Sequence, residues 1–240
     1  MAQKLNLSLG QSLISTPKKI NGMDQEAEYA LLRQRMVEEQ IMRRGVSDSL
    51  TLKAMAAVKR HFFVPEALRT HAYGDGPLKI GAGQTISQPY IVALMTQAAQ
   101  VDSTSTVLDI GTGSGYAAAV FAEIVDQVYS IERISELSHQ AEIVLKDLGY
   151  KNIHLKVGDG TLGWPEHAPY DAIVVTAGAP VVPESLLDQL KTGGRLVIPV
   201  GDGTSQHLLR YTKTDDGEFS EQMLEYVRFV PLIGEEGWPQ

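Results

Sequence analysis

Residues Val107-Leu-Asp-Ile-Gly-Thr-Gly-Ser-Gly115 combine an apolar run with a loop that has glycine at every second position. Such glycines let the backbone turn tightly and approach a ligand where a Cβ atom would collide with it. The dinucleotide fingerprint Gly-x-Gly-x-x-Gly would require glycine at position 116, where this chain has Tyr116. The stretch therefore predicts a strand, a ligand-binding loop and the start of a helix, and it disfavours a dinucleotide. A glycine-rich turn that binds nothing is the alternative.

Around this stretch, apolar runs typical of strands alternate with helical patterns. The predicted strands span 106–110, 127–131, 153–157, 170–175 and 195–200, and the predicted helices span 115–125, 134–148 and 184–190. Regular alternation predicts right-handed βαβ units. Two further runs, 207–213 and 222–230, flank an Asp-Asp-Gly turn and predict a hairpin. We therefore expect an α/β fold, namely a doubly wound, mostly parallel Rossmann-like sheet with a C-terminal antiparallel hairpin and an N-terminal helical subregion.

The N-terminal part of the chain has a different pattern. Residues 25–43 predict a helix that ends at Gly45, and Ser47 is the expected N-cap of a second helix that runs to about Val58. Residues 73–90 are rich in glycine and proline and predict a long loop, and such loops are often functional. Residues 1–24 are polar and predict a flexible extension, with a short strand at Leu5, Leu7 and Leu9 as the alternative.

Acidic residues and glycines stand where the first three predicted parallel strands end. In a doubly wound sheet, ligands bind at the carboxyl ends of the strands, where the strand order reverses. The candidate binding residues at these ends are Asp109, Gly111, Gly113, Gly115, Glu132, Asp159 and Gly160. Each carboxylate also has a plainer interpretation: Asp109 as a turn cap, Glu132 as a solvated residue of a first helical turn, and Asp159 as a turn former. The three features together are more specific than any one of them.

The Gly-x-Gly-x-Gly loop after an aspartate resembles motif I of the class I S-adenosylmethionine-dependent methyltransferases. The resemblance implies S-adenosyl-L-methionine as the cofactor, with its methionine carboxylate at the N-terminus of the helix after the loop. It further implies that Asp109 contacts the methionine ammonium group and that Glu132 accepts hydrogen bonds from both ribose hydroxyls. Asp159 would then accept a hydrogen bond from the adenine amino group, and Gly160 would let the adenine ring pass close to the backbone.

A second stretch, Ile80-Gly-Ala-Gly-Gln-Thr-Ile-Ser-Gln-Pro-Tyr90, resembles the signature loop of the protein-L-isoaspartate O-methyltransferases. Arg60-His-Phe-Phe-Val-Pro65 and Val157-Gly-Asp-Gly160 are similar to that family as well, and the resemblance covers roughly residues 30–234. It implies methylation of the free α-carboxylate of L-isoaspartyl residues in damaged proteins and peptides, a repair reaction whose other product is S-adenosyl-L-homocysteine.

By the same resemblance, Ser87 is the active-site serine, and the three residues before it line the junction of cofactor and substrate: Gln84, Thr85 and Ile86. The chemistry agrees, because a carboxylate with a pKa near about 4 is already ionised at neutral pH and needs no general base. A strong cation against it would stabilise the ground state more than the transition state, so neutral donors are favoured. We expect Ser87 to position the carboxylate rather than to form a covalent intermediate. Its alternative role is the N-cap of the helix at Pro89.

Composition limits the other classes of function. The formal net charge of −8 disfavours nucleic-acid partners, which need a lysine and arginine footprint. The chain has no cysteine, its six histidines show no metal-ligand spacing, and it has no long apolar run. We therefore expect no metal and no membrane association, a cytoplasmic location and, as the default of the family, a monomer. The expected organisation is a flexible extension (1–24) before one methyltransferase domain (25–240), with N-terminal helices and substrate loop (25–100) and a cofactor-binding α/β core (101–240).

Two rival functions stay open at this point. One is a class I methyltransferase that acts on another carboxylate, on a small molecule or on nucleic acid, although a base-flipping enzyme would favour a basic channel. The other is a non-catalytic module that keeps the cofactor pocket. A serine hydrolase is disfavoured because the chain has no Gly-x-Ser-x-Gly elbow, and a P-loop protein because it has no Gly-Lys pair.

Overall fold

A seven-stranded sheet forms the centre of the computed structural model, which describes residues 22–239. The helices are α1 (Gly22–Arg35), α2 (Ser49–Ala57), α3 (Pro89–Ala99), α4 (Tyr116–Ala122), α5 (Ser135–Asp147) and α6 (Glu184–Asp188). The strands are β1 (Leu78–Gly81), β2 (Gln84–Ile86), β3 (Thr106–Ile110), β4 (Gln127–Glu132), β5 (Ile153–Val157), β6 (Tyr170–Val175), β7 (Leu190–Gly201), β8 (Gln206–Lys213) and β9 (Phe219–Val227). Among the described residues, none of the helices combines the length and apolarity that a membrane crossing requires.

The strand order in the large sheet is β5-β4-β3-β6-β7-β8-β9. The first five of these strands are parallel, and β8 runs antiparallel to both β7 and β9. This topology confirms the doubly wound, mostly parallel sheet and its C-terminal hairpin. Since β3 has β4 on one side and β6 on the other, the strand order reverses at β3, and the crevice beyond its carboxyl end is the expected ligand position.

Apolar side chains cover both faces of the sheet. Val107, Val128 and Val174 face a cluster that includes side chains from α1 to α5. Leu108 and Ile173 face the opposite cluster, to which Leu186 of α6 contributes. Alternation along the strands thus directs successive residues to opposite layers, as a sheet buried on both faces requires. The two layers fix the strands whose ends carry the candidate site.

The stretch 73–90, predicted as a long loop, contains the antiparallel hairpin β1–β2. Gly81, Ala82 and Gly83 have φ angles of 102°, 48° and 72°, and glycines tolerate this region without steric cost. The tight turn lets Leu78 pair with Ile86, and both Ile80 and Ile86 are buried. The glycines that indicated irregular structure therefore serve a turn between two short strands, which hold Gln84, Thr85 and Ile86.

The N-terminal helix begins earlier than predicted. Because α1 starts at Gly22, residues 22–24 of the expected extension belong to this helix. Beyond Arg35 the helix continues as a π-helical turn, Met36–Ile41. The helical segment ends at Gly45, which has a φ of 93°, as the sequence predicted. The remainder of the extension and the alternative strand at Leu5, Leu7 and Leu9 lie outside the described residues.

The N-cap of α2 is Asp48, so the prediction of Ser47 was wrong. The Asp48 carboxylate accepts hydrogen bonds from the backbone N–H and the hydroxyl of Thr51, both at 2.7 Å. The Ser47 side chain is exposed, and its backbone N–H donates to Gln97 instead. Two adjacent residues with good capping side chains cannot be distinguished by propensity alone.

This difference gives a direct test of the helix start. Replacement of Asp48 by Ala removes the cap and should lower the free energy of unfolding by about 0.5–2 kcal/mol. The matched variant Ser47→Ala keeps the backbone contact to Gln97 and should stay within about 0.5 kcal/mol of the parent protein. Urea denaturation followed by circular dichroism measures both. A larger loss in Ser47→Ala than in Asp48→Ala would contradict the assignment.

Candidate active site

The glycine loop, residues 111–115, lies at the point where the strand order reverses. Gly111, Gly113 and Gly115 all have positive φ angles, of 96°, 54° and 86°. A Cβ atom at Gly111 would lie 2.7 Å from Thr176 Oγ1, so this position admits no side chain. The loop's own N–H groups at 111, 112, 113 and 115 bond within the protein. The N–H groups of Ser114 in the loop and of Ala117 in the first turn of α4 have no acceptor within residues 22–239, and both residues line a cavity described below, so these groups can bind an anion.

Glu132 holds this loop in place. Its carboxylate is 6% exposed, and it accepts one hydrogen bond from the N–H of Gly113 and one from the N–H of Ile134, both at 2.9 Å. The side chain thus joins the loop after β3 to the turn after β4. Since a carboxylate oxygen has two lone pairs, each oxygen can still accept a further hydrogen bond from a ligand. The expected ribose contact is compatible with this geometry, and the sequence did not indicate the structural one.

Asp109 lies inside the protein, away from the walls of the cavities described below. Its Oδ2 accepts a hydrogen bond from the Ser130 hydroxyl at 2.7 Å, and its Oδ1 has no partner within residues 22–239. Burial raises the pKa of Asp109 to about 7, against the opposing Ser130 hydrogen bond and with added repulsion from Glu132. The structure thus gives no exposed surface to the carboxylate that was expected to contact an ammonium group, and that contact stays a prediction.

Asp159 has the plainer role that the sequence left open. Its Oδ1 accepts hydrogen bonds from the N–H and hydroxyl of Thr161, at 2.8 and 2.7 Å. Its Oδ2 accepts one from the N–H of Glu235 at 2.7 Å, which ties the C-terminal segment to this turn. A Cβ atom at Gly160 would lie 2.5 Å from Ile110 Cγ2, so packing against β3 already requires glycine there. The adenine contact of Asp159 stays a prediction.

Ser87 follows β2 with a hydroxyl that makes no hydrogen bond to any residue between 22 and 239. The N-cap of α3 is Gln88, so the alternative role of Ser87 as that cap was wrong. The Ser87 carbonyl accepts a hydrogen bond from Arg60 Nη2 at 2.8 Å. Its side chain is therefore free for a ligand, while its backbone is fixed from behind.

Arg60 is a fully buried cation whose role the sequence does not indicate. Besides Ser87, its guanidinium donates to the Ala72 carbonyl at 2.8 Å and lies over the Tyr116 ring at 4.7 Å. Burial lowers the pKa of Arg60 to about 10, which leaves it charged at neutral pH. Arg60 thus connects the Ser87 loop to Tyr116, the first residue of α4. Only its long-range contacts identify this role, since nothing in the local pattern of Arg60-His-Phe-Phe does.

Three neighbouring cavities lie along these residues and share parts of their walls. The glycine-loop cavity, about 50 Å³, is lined by Thr85, Ser87, Glu132 and the loop itself. The sheet-end cavity, also about 50 Å³, lies across Glu132 and is lined by Ile134, Gly160 and residues 230–233. The outer cavity, about 570 Å³, opens from Ser87 towards residues 226–231. Four residues line both the glycine-loop and the outer cavity and so form a junction between them: Thr85, Ser87, Thr176 and Val230.

The sequence did not indicate Thr176 as a site residue, and it left the contacts of the C-terminal segment unassigned. Thr176, directly after β6, donates from its hydroxyl to the Gly111 carbonyl at 2.8 Å and walls both cavities. The C-terminal segment is held by Gly178, whose N–H donates to Val230 and whose carbonyl accepts from Leu232, both at 2.8 Å. The rule that selected the first three strand ends would also have selected Thr176 at the fourth.

The junction carries hydroxyl groups and no charged side chain within the described residues. Such a site can hold an anionic group by neutral hydrogen bonds against a ligand that occupies the glycine-loop cavity. Between residues 22 and 239, no cluster of three or more His, Asp and Glu side chains is arranged to hold a metal ion. The arrangement therefore suits a transfer between two bound molecules that meet at Ser87.

Comparisons with known proteins agree with this arrangement. A family model described as protein-L-isoaspartate(D-aspartate) O-methyltransferase matches residues 32–237. The protein-L-isoaspartate O-methyltransferase of Trichlorobacter lovleyi is 55% identical over 210 residues, which cover 88% of this chain and 97% of the relative. The enzyme of the same name from Opitutus terrae is 57% identical over 203 residues, covering 85% of this chain and 87% of the relative.

Solved structures give the same result. One protein-L-isoaspartate O-methyltransferase is 30% identical, with a TM-score of 0.75, and the match covers 85% of this chain and 67% of that one. A Plasmodium falciparum structure is 27% identical, with a TM-score of 0.72 and coverage of 85% and 98%. That protein is described as a protein-L-isoaspartate O-methyltransferase in complex with S-adenosyl-L-homocysteine.

The buried Asp109 predicts a specific pH dependence of stability. Its pKa is about 7 in the folded protein against 3.8 for an aspartate in water, so the folded state holds the proton more tightly. The stabilising contribution of the protonated form is complete below about pH 4 and is lost as the pH rises through about 7. Relative to Asp109→Asn, the wild type should lose up to about 4 kcal/mol of unfolding free energy across this window, since each pKa unit is worth about 1.4 kcal/mol.

Urea denaturation of both proteins between pH 4 and 9 measures the difference, and the comparison cancels the other titrating groups. The difference should be flat above about pH 8. Parallel stability curves for the two proteins would contradict the raised pKa.

Proposed function

The chain belongs to the protein-L-isoaspartate(D-aspartate) O-methyltransferase family, and from this premise we propose how its residues carry the reaction. It is a protein repair methyltransferase that uses S-adenosyl-L-methionine and acts on the free α-carboxylate of L-isoaspartyl residues. S-adenosylmethionine supplies a methyl group on a sulfonium, which a carboxylate oxygen attacks while the carbon–sulfur bond breaks. The resulting ester can close to a succinimide, from which normal aspartate forms.

The cofactor is placed along the glycine-loop and sheet-end cavities. The first turn of α4 would hold the methionine carboxylate, and Glu132 would accept hydrogen bonds from the ribose hydroxyls with the lone pairs that the backbone leaves free. Apolar side chains on the sheet-end cavity, Ile131 and Leu232 among them, suit the adenine ring. The proposal is supported by Gly111 and Glu132, each of which lines both cavities, and by the Thr176 side chain, which leaves no room for a Cβ atom at Gly111. The contacts of Asp109 and Asp159 with the cofactor stay predictions from the sequence.

The isoaspartyl carboxylate is placed at the junction. The Ser87 hydroxyl donates to the carboxylate, and the Thr85 and Thr176 side chains lie on the same walls. Because the carboxylate is already an anion, Ser87 positions it and takes no proton from it. Orientation of a nucleophile within about 3–3.5 Å of the reacting carbon supplies much of the rate enhancement in such reactions. The single observation that carries this proposal is that the unpartnered Ser87 hydroxyl stands where the two cavities meet.

Placement of charge supports the same reaction. The sulfonium is positive and the carboxylate negative, so charge is neutralised on the way to the transition state. The Arg60 guanidinium is close to Ser87, but it binds backbone carbonyls and the Tyr116 ring rather than the junction. It orients Ser87 without a direct ion pair that would stabilise the ground state of the substrate carboxylate. Gln84 and Ile86 hold β2, and with it Ser87, next to the glycine loop.

The substrates are proteins and peptides with isoaspartyl residues. A cytoplasmic location, a monomeric state and the lack of nucleic-acid, membrane and metal partners stay predictions from the sequence. The outer cavity, about 570 Å³ in volume, is open to solvent next to Ser87, where a peptide segment could enter.

The proposal is tested by replacement of Ser87 with Ala. Loss of a hydrogen bond to a charged group should lower kcat about 10- to 100-fold with an isoaspartyl peptide. The affinity for S-adenosyl-L-homocysteine, measured by calorimetry, should change less than about twofold. The control Ser220→Ala removes an exposed hydroxyl on β9 and should change neither quantity.

Each assay also uses the normal aspartyl twin of the peptide. Transfer by the wild type to neither peptide would remove the repair function, and equal transfer to both would make the protein a general carboxyl methyltransferase. A large loss of cofactor affinity in Ser87→Ala would reassign Ser87 to the cofactor pocket.

A further inference from the structure

Arg228 is the one charged side chain among the residues that line the outer cavity, within residues 22–239. The rest of the wall is neutral and includes Gln88, Ile91, Tyr226 and Phe229. The chain has a formal net charge of −8, so a lone cation on the cavity wall makes the local electrostatic potential more positive there than over the acidic surface. Arg228 does not line the glycine-loop cavity, so it stands apart from the residues that surround the reacting carboxylate.

No neighbouring acid neutralises Arg228. Its guanidinium is exposed and forms no ion pair with any residue between 22 and 239. Asp75, which accepts a hydrogen bond from Gln88 on the cavity wall, pairs with Arg44. Glu225 accepts from the N–H of Tyr226 at 3.0 Å and lies beside the Tyr90 hydroxyl. Arg228 is thus available to a ligand.

The backbone that carries Arg228 is fixed on its C-terminal side. The N–H of Phe229 donates to Gln206 Oε1 at 2.7 Å, and Gln206 is 3% exposed and donates in turn to the Asp202 carbonyl. The Val230 carbonyl accepts from Gly178 at 2.8 Å. The backbone therefore holds the Cα atom of Arg228 in place, and only the side chain can move. Its planar guanidinium can bind a carboxylate with two parallel hydrogen bonds.

We propose that Arg228 determines substrate specificity, by favouring isoaspartyl sites that have acidic side chains close by in the sequence. The inference rests on the proposed function, because it takes the outer cavity as the peptide site. A peptide whose isoaspartyl carboxylate lies at Ser87 extends through this cavity, and its neighbouring side chains pass Arg228. A glutamate there gains an ion pair, a glutamine gains little, and a lysine is repelled.

Three isoaspartyl peptides test the proposal, with Glu, Gln or Lys on both sides of the isoaspartyl residue and otherwise identical. For the wild type at low salt, kcat/KM should be about two- to fivefold higher for the Glu peptide than for the Lys peptide, mainly through KM. The ratio should shrink as salt screens the pair. Arg228→Gln should bring the ratio close to one, and Arg228→Glu should reverse it. The control Arg43→Gln makes the same change of net charge at an exposed site and should keep the wild-type ratio.

The outcomes separate the inference from the function on which it rests. No methylation of any of the three peptides by the wild type would overturn the proposed function itself. Methylation of all three without a charge preference, or a preference that survives in Arg228→Gln, would overturn the role of Arg228 alone. An equal fall of kcat for all three peptides in Arg228→Gln would also overturn it, because Arg228 would then act on the reacting carboxylate.

Discussion

Two hydrogen bonds to the Glu132 carboxylate determine the shape of the site. They join the loop after β3, at Gly113, to the turn after β4, at Ile134, so the ends of two parallel strands are fixed relative to each other. Both narrow cavities are lined by Glu132, and Gly111 lines both of them as well. A carboxylate in this position satisfies two backbone donors that would otherwise be buried without partners, and it still presents lone pairs to a ligand. Glu132 therefore both holds the glycine loop in place and lines the cavities in which we place the ligand.

The site separates charges that hold the protein together from groups that touch the reactants. Arg60 and Asp109 are fully buried; Arg60 orients the Ser87 backbone, and Asp109 binds Ser130 within the sheet. At the junction itself the groups are uncharged: the hydroxyls of Ser87 and Thr85 have no partner within residues 22–239, and the Thr176 hydroxyl donates to the Gly111 carbonyl. This separation suits a reaction in which opposite charges of the two reactants cancel, because a fixed charge at the reacting centre would stabilise the separated charges of the ground state. The exposed Arg228 adds a charge only where neighbouring residues of the substrate pass.

The sequence predicted the centre of the sheet well because β3, β4 and β6 are mostly apolar runs next to glycine, proline or acidic residues. It also predicted which strand ends meet, since parallel strands place their carboxyl ends at one edge, and the family and cofactor that it indicated are confirmed. The sequence did not predict the long-range contacts. Arg60 donates to the Ser87 carbonyl, and Asp159 accepts from the N–H of Glu235, 76 residues further along the chain. The glycines of the β1–β2 turn predict irregular structure, because composition does not distinguish a loop from a tight hairpin.

Calorimetry of S-adenosyl-L-homocysteine binding to Glu132→Ala tests the central role of this carboxylate most directly. Loss of hydrogen bonds to a charged group should weaken binding about 10- to 100-fold. The control Glu136→Ala removes an exposed carboxylate at the start of α5 and should bind like the wild type. Circular dichroism of both variants checks that they are folded. An unchanged affinity in folded Glu132→Ala would contradict the account, because the glycine loop would then bind the cofactor without the side chain that is said to hold it.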